Sequence, residues 1–445
     1  MNKVGMISLG CPRNLVDSEV ILGSLKKRGF LIKDSFEDGV DIGIINTCAF
    51  LRSAREESVD TISQAIQLKG EGRIKYLVVC GCLGQLYKEK LLKGLSKVDL
   101  VLGTNDFFKI ADLIKGLAPN KRQAVVSDKL DYLYSENSPR FSLTPAHYAY
   151  VKIIEGCSNF CSYCIISRLR GKSRSRTIES ILKEIGGLAK DSVLKEINLI
   201  GQDTTFFGMD RSKRSELAKL LREISKLKNN VRWVRILYTH PAHYTSDLIR
   251  TIREEERVCK YLDLPTQHSS DKILKAMNRG TTRKELTALI EKLRKDIPGI
   301  VLRTSIIVGF PGESDKDFKE LLDFIRVTRF ERLGAFLYSK EEGTKAARFK
   351  NQIPEREKQA RFDEVMKLQQ RISSDINSAF LGKEIEVLID EEVAGESDRF
   401  LGRTQGDAPE VDGTVFVTGS NLKPGEFYQV KIKDTLEYDL VGEAI

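Results

Sequence analysis

Three cysteines lie close together near the middle of the chain, in a C-x3-C-x2-C segment formed by Cys157, Cys161 and Cys164. The segment directly follows a run of apolar and β-branched residues, so the three thiols are expected on one loop at the end of a strand. Thiolates ligate iron-sulfur clusters, and three ligands instead of four leave one iron open to a substrate or cofactor. A structural zinc site is the alternative, but it needs a fourth Cys or His nearby, and the nearest histidine, His147, lies across a strand.

A second set of three cysteines, Cys11, Cys48 and Cys82, is spread over the N-terminal part of the chain. Each follows a short apolar run, and the intervals of 37 and 34 residues match one strand-helix unit each. Right-handed crossovers make such strands parallel, and the carboxyl ends of parallel strands share one edge of the sheet. The sequence therefore predicts that these thiols meet and form a second three-thiolate site. The three runs are Lys3–Leu9, Asp41–Thr47 and Tyr76–Cys80.

The other two cysteines, Cys80 and Cys259, have no ligand spacing and are predicted to pack in the core. The chain has no stretch of about 18 consecutive apolar residues and no signal-peptide layout at its start. We therefore expect a cytoplasmic protein without a membrane partner. Since reducing compartments keep thiols unpaired, this expectation excludes a disulfide scaffold and favours metal or catalytic roles for the cysteines.

The elements that must position these thiols indicate an α/β protein of three domains, as 445 residues allow. Residues 1–118 are predicted to form an open parallel sheet with helices, followed by a polar connection without periodicity. Residues 140–375 contain six strand candidates separated by helical patterns, too few for an eight-unit barrel, so a partial (βα)6 TIM-like barrel fits best. The six candidates are Tyr148–Ile154, Glu196–Ile200, Val231–Leu237, Tyr261–Leu264, Val301–Val308 and Arg332–Tyr338.

Residues 377–445 are predicted to form a small OB-like β-barrel after a long amphipathic helix that opens at Pro354 and ends near Phe380. This segment holds six basic and fifteen acidic residues, a net charge of −9, whereas the whole chain carries +9. An acidic module repels a phosphate backbone and attracts a basic protein. The charge distribution thus favours a basic protein as the partner.

The three-cysteine loop, with the aromatic Tyr163 beside its last cysteine, resembles the radical S-adenosylmethionine (SAM) superfamily. The resemblance implies that a 4Fe-4S cluster on Cys157, Cys161 and Cys164 binds SAM and cleaves it to a 5′-deoxyadenosyl radical. Within this interpretation Tyr163, Gln202, Gly309 and Glu313 are candidate cofactor-binding residues. Gln202 follows the second barrel strand, where a strand-ending turn is the alternative. Gly309 and Glu313 follow the fifth strand, where a tight turn capping the next helix is the alternative.

Longer motifs resemble the methylthiotransferases, whose N-terminal, radical SAM and C-terminal TRAM domains would cover essentially the whole chain. They include GCPRN at 10–14, NTC at 46–48, YTHP at 238–241, DLPTQH at 263–268 and DAPEVDG at 407–413. The details resemble the branch that modifies an aspartate of ribosomal protein S-twelve. In the tRNA-modifying branch, GCQMN usually stands in place of GCPRN. Leu86, where the family often has arginine, and the extra thiol of Cys80 are departures that touch no presumed ligand.

This resemblance implies two 4Fe-4S clusters, the second one held by Cys11, Cys48 and Cys82. It implies that SAM serves both as methyl donor and as radical source, and that a methylthio group is added to the β-carbon of the aspartate. It also implies an electron donor, which the sequence does not identify. No side chain is predicted to act as a catalytic acid or base, because no such group could ionise that C–H bond at pH 7.

Two other functions compete with this interpretation. One is a tRNA adenosine methylthiotransferase, which the acidic C-terminal segment disfavours because RNA binding needs a basic surface. The other is a non-catalytic iron-sulfur or zinc module that binds ribosomes. The two classes differ in one observable, because only an enzyme would release 5′-deoxyadenosine from SAM.

Overall fold

The protein is described here as a computed structural model covering residues 2–191, 193–396 and 398–445. It consists of an open parallel sheet, a curved six-stranded parallel sheet and a closed β-barrel, in that order along the chain. Among the described residues, no helix has the length and apolar character needed to cross a membrane.

The N-terminal sheet has the strand order β2-β1-β3-β4-β5-β6, and all its pairs are parallel. The three strands that precede the separated cysteines are therefore direct neighbours. The sixth strand lies beyond residue 118, within the connection that has no periodicity in the sequence. The strands are β1 Lys3–Ser8, β2 Leu31–Lys33, β3 Val40–Thr47, β4 Ile74–Gly81, β5 Leu100–Leu102 and β6 Gln123–Val125.

Five helices accompany this sheet: α1 Pro12–Lys27, α2 Arg52–Gly70, α3 Cys82–Tyr87, α4 Glu89–Gly94 and α5 Ile110–Lys115. Helix α1 begins with a proline, which has no N–H to leave unpaired in a first turn. Its apolar residues pack on the sheet, yet Asp17 and Glu19 are also buried. A helix that buries charged residues must find partners for them on a second surface, and the central domain provides it.

The central sheet confirms the six-unit partial barrel, with order β14-β13-β12-β11-β10-β7 and all pairs parallel. A short antiparallel pair, β8 with β9, joins the two ends of the segment that contains the three-cysteine loop. The strands are β7 Tyr148–Lys152, β8 Ile154–Glu155, β9 Arg174–Ser175, β10 Glu196–Ile200, β11 Trp233–Ile236, β12 Val258–Asp263, β13 Val301–Val308 and β14 Arg332–Leu337. The helices are α6 Ile166–Arg170, α7 Ile178–Leu188, α8 Met209–Ser212, α9 Leu217–Ser225, α10 Ser246–Glu254, α11 Asp271–Met277, α12 Arg283–Asp296 and α13 Asp315–Thr328.

The long helix α14, Glu355–Ser378, leads into the C-terminal barrel, with Pro354 just before its first turn. The barrel is closed, with order β15-β16-β17-β19-β18, and confirms the small β-barrel prediction. The sequence predicts three of its strands, at 384–389, 413–418 and 428–432, but not β16 or β19. The five strands are β15 Glu384–Glu392, β16 Arg399–Arg403, β17 Val415–Thr418, β18 Phe427–Thr435 and β19 Leu440–Ala444.

Several acidic residues of this barrel pair with cations of the central domain instead of facing solvent. Asp407 contacts Arg332 at 2.6 Å, and Asp412 contacts Arg303 at 3.2 Å and accepts a hydrogen bond from Tyr261 at 2.6 Å. These contacts desolvate both partners and hold the two domains together. Part of the negative charge of this segment is therefore neutralised by ion pairs inside the molecule.

Candidate metal centres at the domain interface

The three separated cysteines lie side by side at the carboxyl edge of the N-terminal sheet. Cys11 directly precedes α1, Cys48 directly follows β3, and Cys82 opens α3. Gly10 has a φ of +88°, and a Cβ at this position would lie 2.7 Å from Cys48 Cβ and 2.9 Å from Cys48 Sγ. Only glycine fits such an approach, so the chain before Cys11 packs directly on Cys48.

Two asparagines fasten these strand ends together. The Asn14 side chain donates to the carbonyl of Leu9 at 2.6 Å and to those of Asn46 and Thr47 at 3.3 Å. The Asn46 side chain donates back to the Asn14 carbonyl at 2.9 Å. The asparagines of the GCPRN and NTC motifs thus hold the loop of Cys11 against the strand of Cys48.

Two arginines, the half-buried Arg13 and the buried Arg170, face the sulfurs of this group. Arg13 Nε donates to Cys11 Sγ at 3.4 Å, and Arg170 Nη2 donates to Cys82 Sγ at 3.7 Å. Burial alone would raise the pKa of Cys11, but the charge and hydrogen bond of Arg13 and the charge of Arg170 lower it to about 7. The pKa of Cys48 is raised to about 12 by burial and by the neighbouring Cys82. Bound iron would compete with these protons for the thiolates.

The loop of Cys157, Cys161 and Cys164 is fastened by the segment that follows α11. The Ser162 amide donates to the carbonyl of Met277 at 2.9 Å, and the Asn278 side chain donates to the carbonyls of residues 159 and 160 at 3.1 Å. Arg279 Nη1 donates to Cys161 Sγ at 3.6 Å. These contacts hold a loop that has no regular structure of its own.

The three cysteines of this loop are half-buried. Burial raises the pKa of Cys157 to about 11 and that of Cys164 to about 12. Tyr163 packs against a small apolar cluster that includes Met277 and Phe310. Phe310 belongs to the turn after β13, so Tyr163 ties the cysteine loop to that turn.

A buried ion network crosses the domain interface from the N-terminal thiol group to the strand ends beside the three-cysteine loop. Asp17 of α1 contacts Lys152 at 2.6 Å and Arg170 at 2.6 Å, and Glu155 contacts Lys152 at 2.8 Å. Gln202 Nε2 donates to the same Glu155 at 2.5 Å. The network therefore runs from the neighbourhood of Cys82, through Arg170, to the strand ends of the central sheet.

The donor set fits iron-sulfur clusters. In the described parts of the chain, no three His, Cys, Asp or Glu side chains are grouped tightly enough for a single metal ion. A 4Fe-4S cluster is wider than one ion and selects soft thiolates, which both groups provide together with N–H donors to sulfur. The predicted SAM contact Gln202 keeps a buried Oε1 without a hydrogen-bond partner, as an acceptor for a bound amino group would.

The turn after β13 carries Gly309 and Glu313, two of the candidate cofactor-binding residues, and it packs against α14. A Cβ on Gly309 would lie 2.3 Å from Lys358 Cγ, so the side chain of Lys358 occupies that space. The Glu313 carboxylate accepts from the Phe310 amide at 3.1 Å and pairs with Arg361 at 2.8 Å, while burial raises its pKa to about 7 against the effect of Arg361. These contacts fit the alternative of a tight turn, and contact of Gly309 and Glu313 with the cofactor stays a prediction.

Several residues of the site escaped the sequence analysis. Arg279 contacts Cys161 across 118 positions, and no local pattern connects the two. Asp17 and Lys152 looked like an ordinary helix residue and an ordinary strand residue. Charged residues inside apolar patterns were the available signal. Cys80 and Cys259 are buried as predicted, with no more than 2% of either exposed.

Comparison with known protein families defines the class of protein first. Residues 151–325 match the model of the radical SAM superfamily, residues 3–103 that of uncharacterized protein family UPF0004, and residues 381–445 that of the TRAM domain. The matches cover the central sheet as far as β13, the N-terminal sheet as far as β5 and the whole closed barrel. The chain is therefore a radical SAM enzyme with an N-terminal α/β domain and a C-terminal TRAM barrel, and radical SAM enzymes use a 4Fe-4S cluster and SAM.

Curated relatives narrow the class to a family. The chain is 44% identical to "Ribosomal protein uS12 methylthiotransferase RimO" of Clostridioides difficile over 446 residues, which covers 100% of this chain and 99% of that one. The protein of the same name from Desulforamulus reducens is 46% identical over 444 residues, again covering 100% and 99%. The chain belongs to the RimO family of methylthiotransferases.

Solved structures agree on the fold. The radical SAM methyltransferase TsrM of Kitasatospora setae, with cobalamin and a [4Fe-4S] cluster bound, aligns with a TM-score of 0.55 at 14% identity and covers 76% of this chain and 75% of that one. The cobalamin-dependent radical enzyme OxsB aligns with a TM-score of 0.53 at 13% identity, covering 84% and 56%. At these identities the likeness concerns the fold alone.

Proposed function

We propose that this enzyme adds a methylthio group to the β-carbon of an aspartate residue of ribosomal protein uS12. The observation that carries the proposal is the juxtaposition of two three-thiol groups across one interface, with a buried ion network crossing it. The names of the full-length relatives support this protein as the substrate. Since ribosomes are cytoplasmic, we place the reaction in the cytoplasm.

Each thiol group would hold one 4Fe-4S cluster. We assign Cys157, Cys161 and Cys164 of the central domain to the cluster that binds SAM. We assign Cys11, Cys48 and Cys82 of the N-terminal domain to an auxiliary cluster, which would supply the site for the sulfur chemistry. When bound, the clusters and SAM supply a methyl group and a carbon-centred radical able to take hydrogen from an unactivated C–H bond.

The side chains around the thiols position the bound cofactor, shield the loop from water and neutralise the charge of the thiolates. Arg279, Arg13 and Arg170 donate to sulfur and offset the negative charge that thiolates bring into a buried site. Gln202 has its amide nitrogen fixed by Glu155, which leaves its oxygen as the acceptor for the SAM amino group. Tyr163 shields the loop from water on the side of Phe310. Exclusion of water protects a radical from side reactions.

The substrate side of the proposal rests on charge. Residues 377–445 carry −9, and the acidic side chains that remain exposed include Glu391 and Glu392 at the end of β15 and Glu396 in the turn that follows. Such a surface suits a basic ribosomal protein and repels tRNA. The electron donor remains a separate protein or reductant, because the chain carries no further redox motif that the sequence reveals.

Mass spectrometry of ribosomal protein uS12 and of tRNA from a strain lacking this enzyme tests the proposal. We expect uS12 to lose about 46 Da, the increment of an added SCH2, and tRNA to be unchanged. Restoring the wild-type gene should restore the mass. A loss of methylthioadenosine from tRNA, with uS12 unchanged, would instead assign the enzyme to RNA.

A further inference from the structure

Arg13 lies between the two thiol groups. Its Nε donates to Cys11 Sγ at 3.4 Å, and its Nη1 donates to the carbonyl of Gly201, at the end of β10, at 3.0 Å. Its guanidinium carbon lies 4.2 Å from the centre of the Tyr238 ring, which follows β11. One side chain of the N-terminal domain is thus held by two strand ends of the central domain.

Arg13 spans the interface between the two domains. Its Nε lies at a thiol of the N-terminal group, and its Nη1 lies at Gly201, the residue before the predicted SAM contact Gln202. The guanidinium is therefore placed at the interface where a substrate would approach both groups.

Arg13 also lacks a carboxylate partner, unlike Lys152 and Arg170. Lys152 and Arg170 share Asp17 and Glu155, whereas the ionisable groups that act most strongly on Arg13 are Cys11, Tyr238 and Arg170. Its Nη2 donates to no acceptor among the described residues.

The position of Arg13 in its helix is unfavourable for helix stability. It lies in the first turn of α1, a helix of 16 residues with no acidic residue in that turn. A cation there opposes the helix dipole, which favours negative charge at the amino end. Helix stability alone would favour a different residue, so the guanidinium calls for another explanation.

We infer that Arg13 binds the side-chain carboxylate of the residue to be modified and so determines specificity for aspartate. This inference rests on the proposed function. The β-carbon of aspartate is bonded directly to its carboxylate carbon, so a fixed carboxylate fixes the reacting carbon between the two thiol groups. Arginine suits the role because its planar, permanently charged fork binds a carboxylate through two N–H donors.

The test uses anaerobically reconstituted enzyme and two peptides from ribosomal protein uS12, one with the target aspartate and one with asparagine in its place. Arg13→Gln removes the charge but keeps an N–H donor for Cys11, and Arg13→Lys keeps the charge. Arg28→Met is the matched control, since Arg28 caps the other end of α1 and pairs with Asp112 at the surface. Peptide Kd, KM and kcat are measured, together with iron per chain.

We expect Arg13→Gln to raise the Kd and KM of the aspartate peptide roughly 10- to 100-fold, the range for a lost charged hydrogen bond, and to abolish the preference over asparagine. Arg13→Lys should retain part of the preference, and Arg28→Met all of it. If both Arg13 variants bind the aspartate peptide like the wild type, whether or not they lose iron, Arg13 serves the sulfur site alone and the inference fails. If the wild type itself neither binds nor modifies the aspartate peptide, the proposed function fails instead.

Discussion

The six cysteines assigned to clusters lie at or shortly after the end of a strand, Cys161 and Cys164 on the loop that leads from β8 to α6. At such a junction the backbone amides of the next turn are unpaired and the sulfur faces the edge of the sheet. Cys11 and Cys82 stand at the starts of α1 and α3, and Cys157 follows β8. The fold thereby presents thiols on rigid supports, as a metal site requires.

The first prediction separates the two thiol groups. Cys48→Ala should abolish methylthio transfer while SAM is still cleaved, because Cys48 lies in the N-terminal domain. Cys161→Ala should abolish both, because its thiol lies in the loop assigned to the radical cluster. The measurement is 5′-deoxyadenosine and methylthio product from the same reaction. Cys259→Ala, a buried thiol away from both groups, is the control, and loss of both products in Cys48→Ala would contradict the division of labour.

The second prediction disturbs the N-terminal group without touching a thiol. Gly10→Ala places a Cβ 2.7 Å from Cys48 Cβ and 2.9 Å from its sulfur, so we expect reconstituted protein to lose roughly half of its iron. The control is Gly29→Ala, since Gly29 has nearly the same positive φ of +86° but nothing within 4 Å of its Cβ position. Equal iron in both variants would mean that the strain of a positive φ is tolerated and the close approach has no role in metal binding.

At the scale of elements, β1, β3 and β4 could be predicted because their apolar runs are bounded by clear breaks. Their common direction followed from crossover handedness, and the structure confirms that they are parallel. The three-residue strands β2, β5 and β6 could not be found in the same way, since a run of that length has no measurable period. Helix α1 shows what a local sequence pattern cannot predict. The burial of its Asp17 and Glu19 depends on partners contributed by other parts of the chain.

The third prediction concerns the interface between α1 and the central domain. Asp17→Asn leaves Lys152 and Arg170 with Glu155 as their remaining carboxylate, so we expect the free energy of unfolding to fall by roughly 3–5 kcal/mol, as for other broken buried pairs. Chemical denaturation measures it. Asp112→Asn, which breaks the exposed pair with Arg28, should cost far less. Similar losses in both variants would show that the buried network contributes no more than a surface pair.

In the whole molecule, the acidic residues of the C-terminal barrel fall into two groups, one paired with the central domain and one exposed. Asp407 and Asp412 are used in contacts with the central domain, and acidic residues at the end of β15 and in the turn that follows remain exposed. The sequence reveals the total charge but not this division, because pairing depends on which cations the other domain presents. Net charge alone therefore overstates how much acidic surface is left to bind a partner.

The fourth prediction assigns partner binding to the exposed share of that charge. Replacing Glu391, Glu392 and Glu396 by lysine should weaken binding to purified ribosomal protein uS12, and the effect should shrink at high salt. Surface plasmon resonance with one protein immobilised, or fluorescence anisotropy, measures this binding. The matched control replaces three exposed glutamates of the central helices and α14, which are Glu254, Glu291 and Glu364. An equal effect of both triple variants would leave only a general role for net charge.

Iron content tests the central claim most directly, because the account requires two groups of three thiols that each hold a cluster. Anaerobically reconstituted wild-type protein should hold about eight irons per chain, and replacing Cys11, Cys48 and Cys82 together by alanine should leave about four. A wild-type value that stays near four, or a triple variant that keeps about eight, would contradict the account.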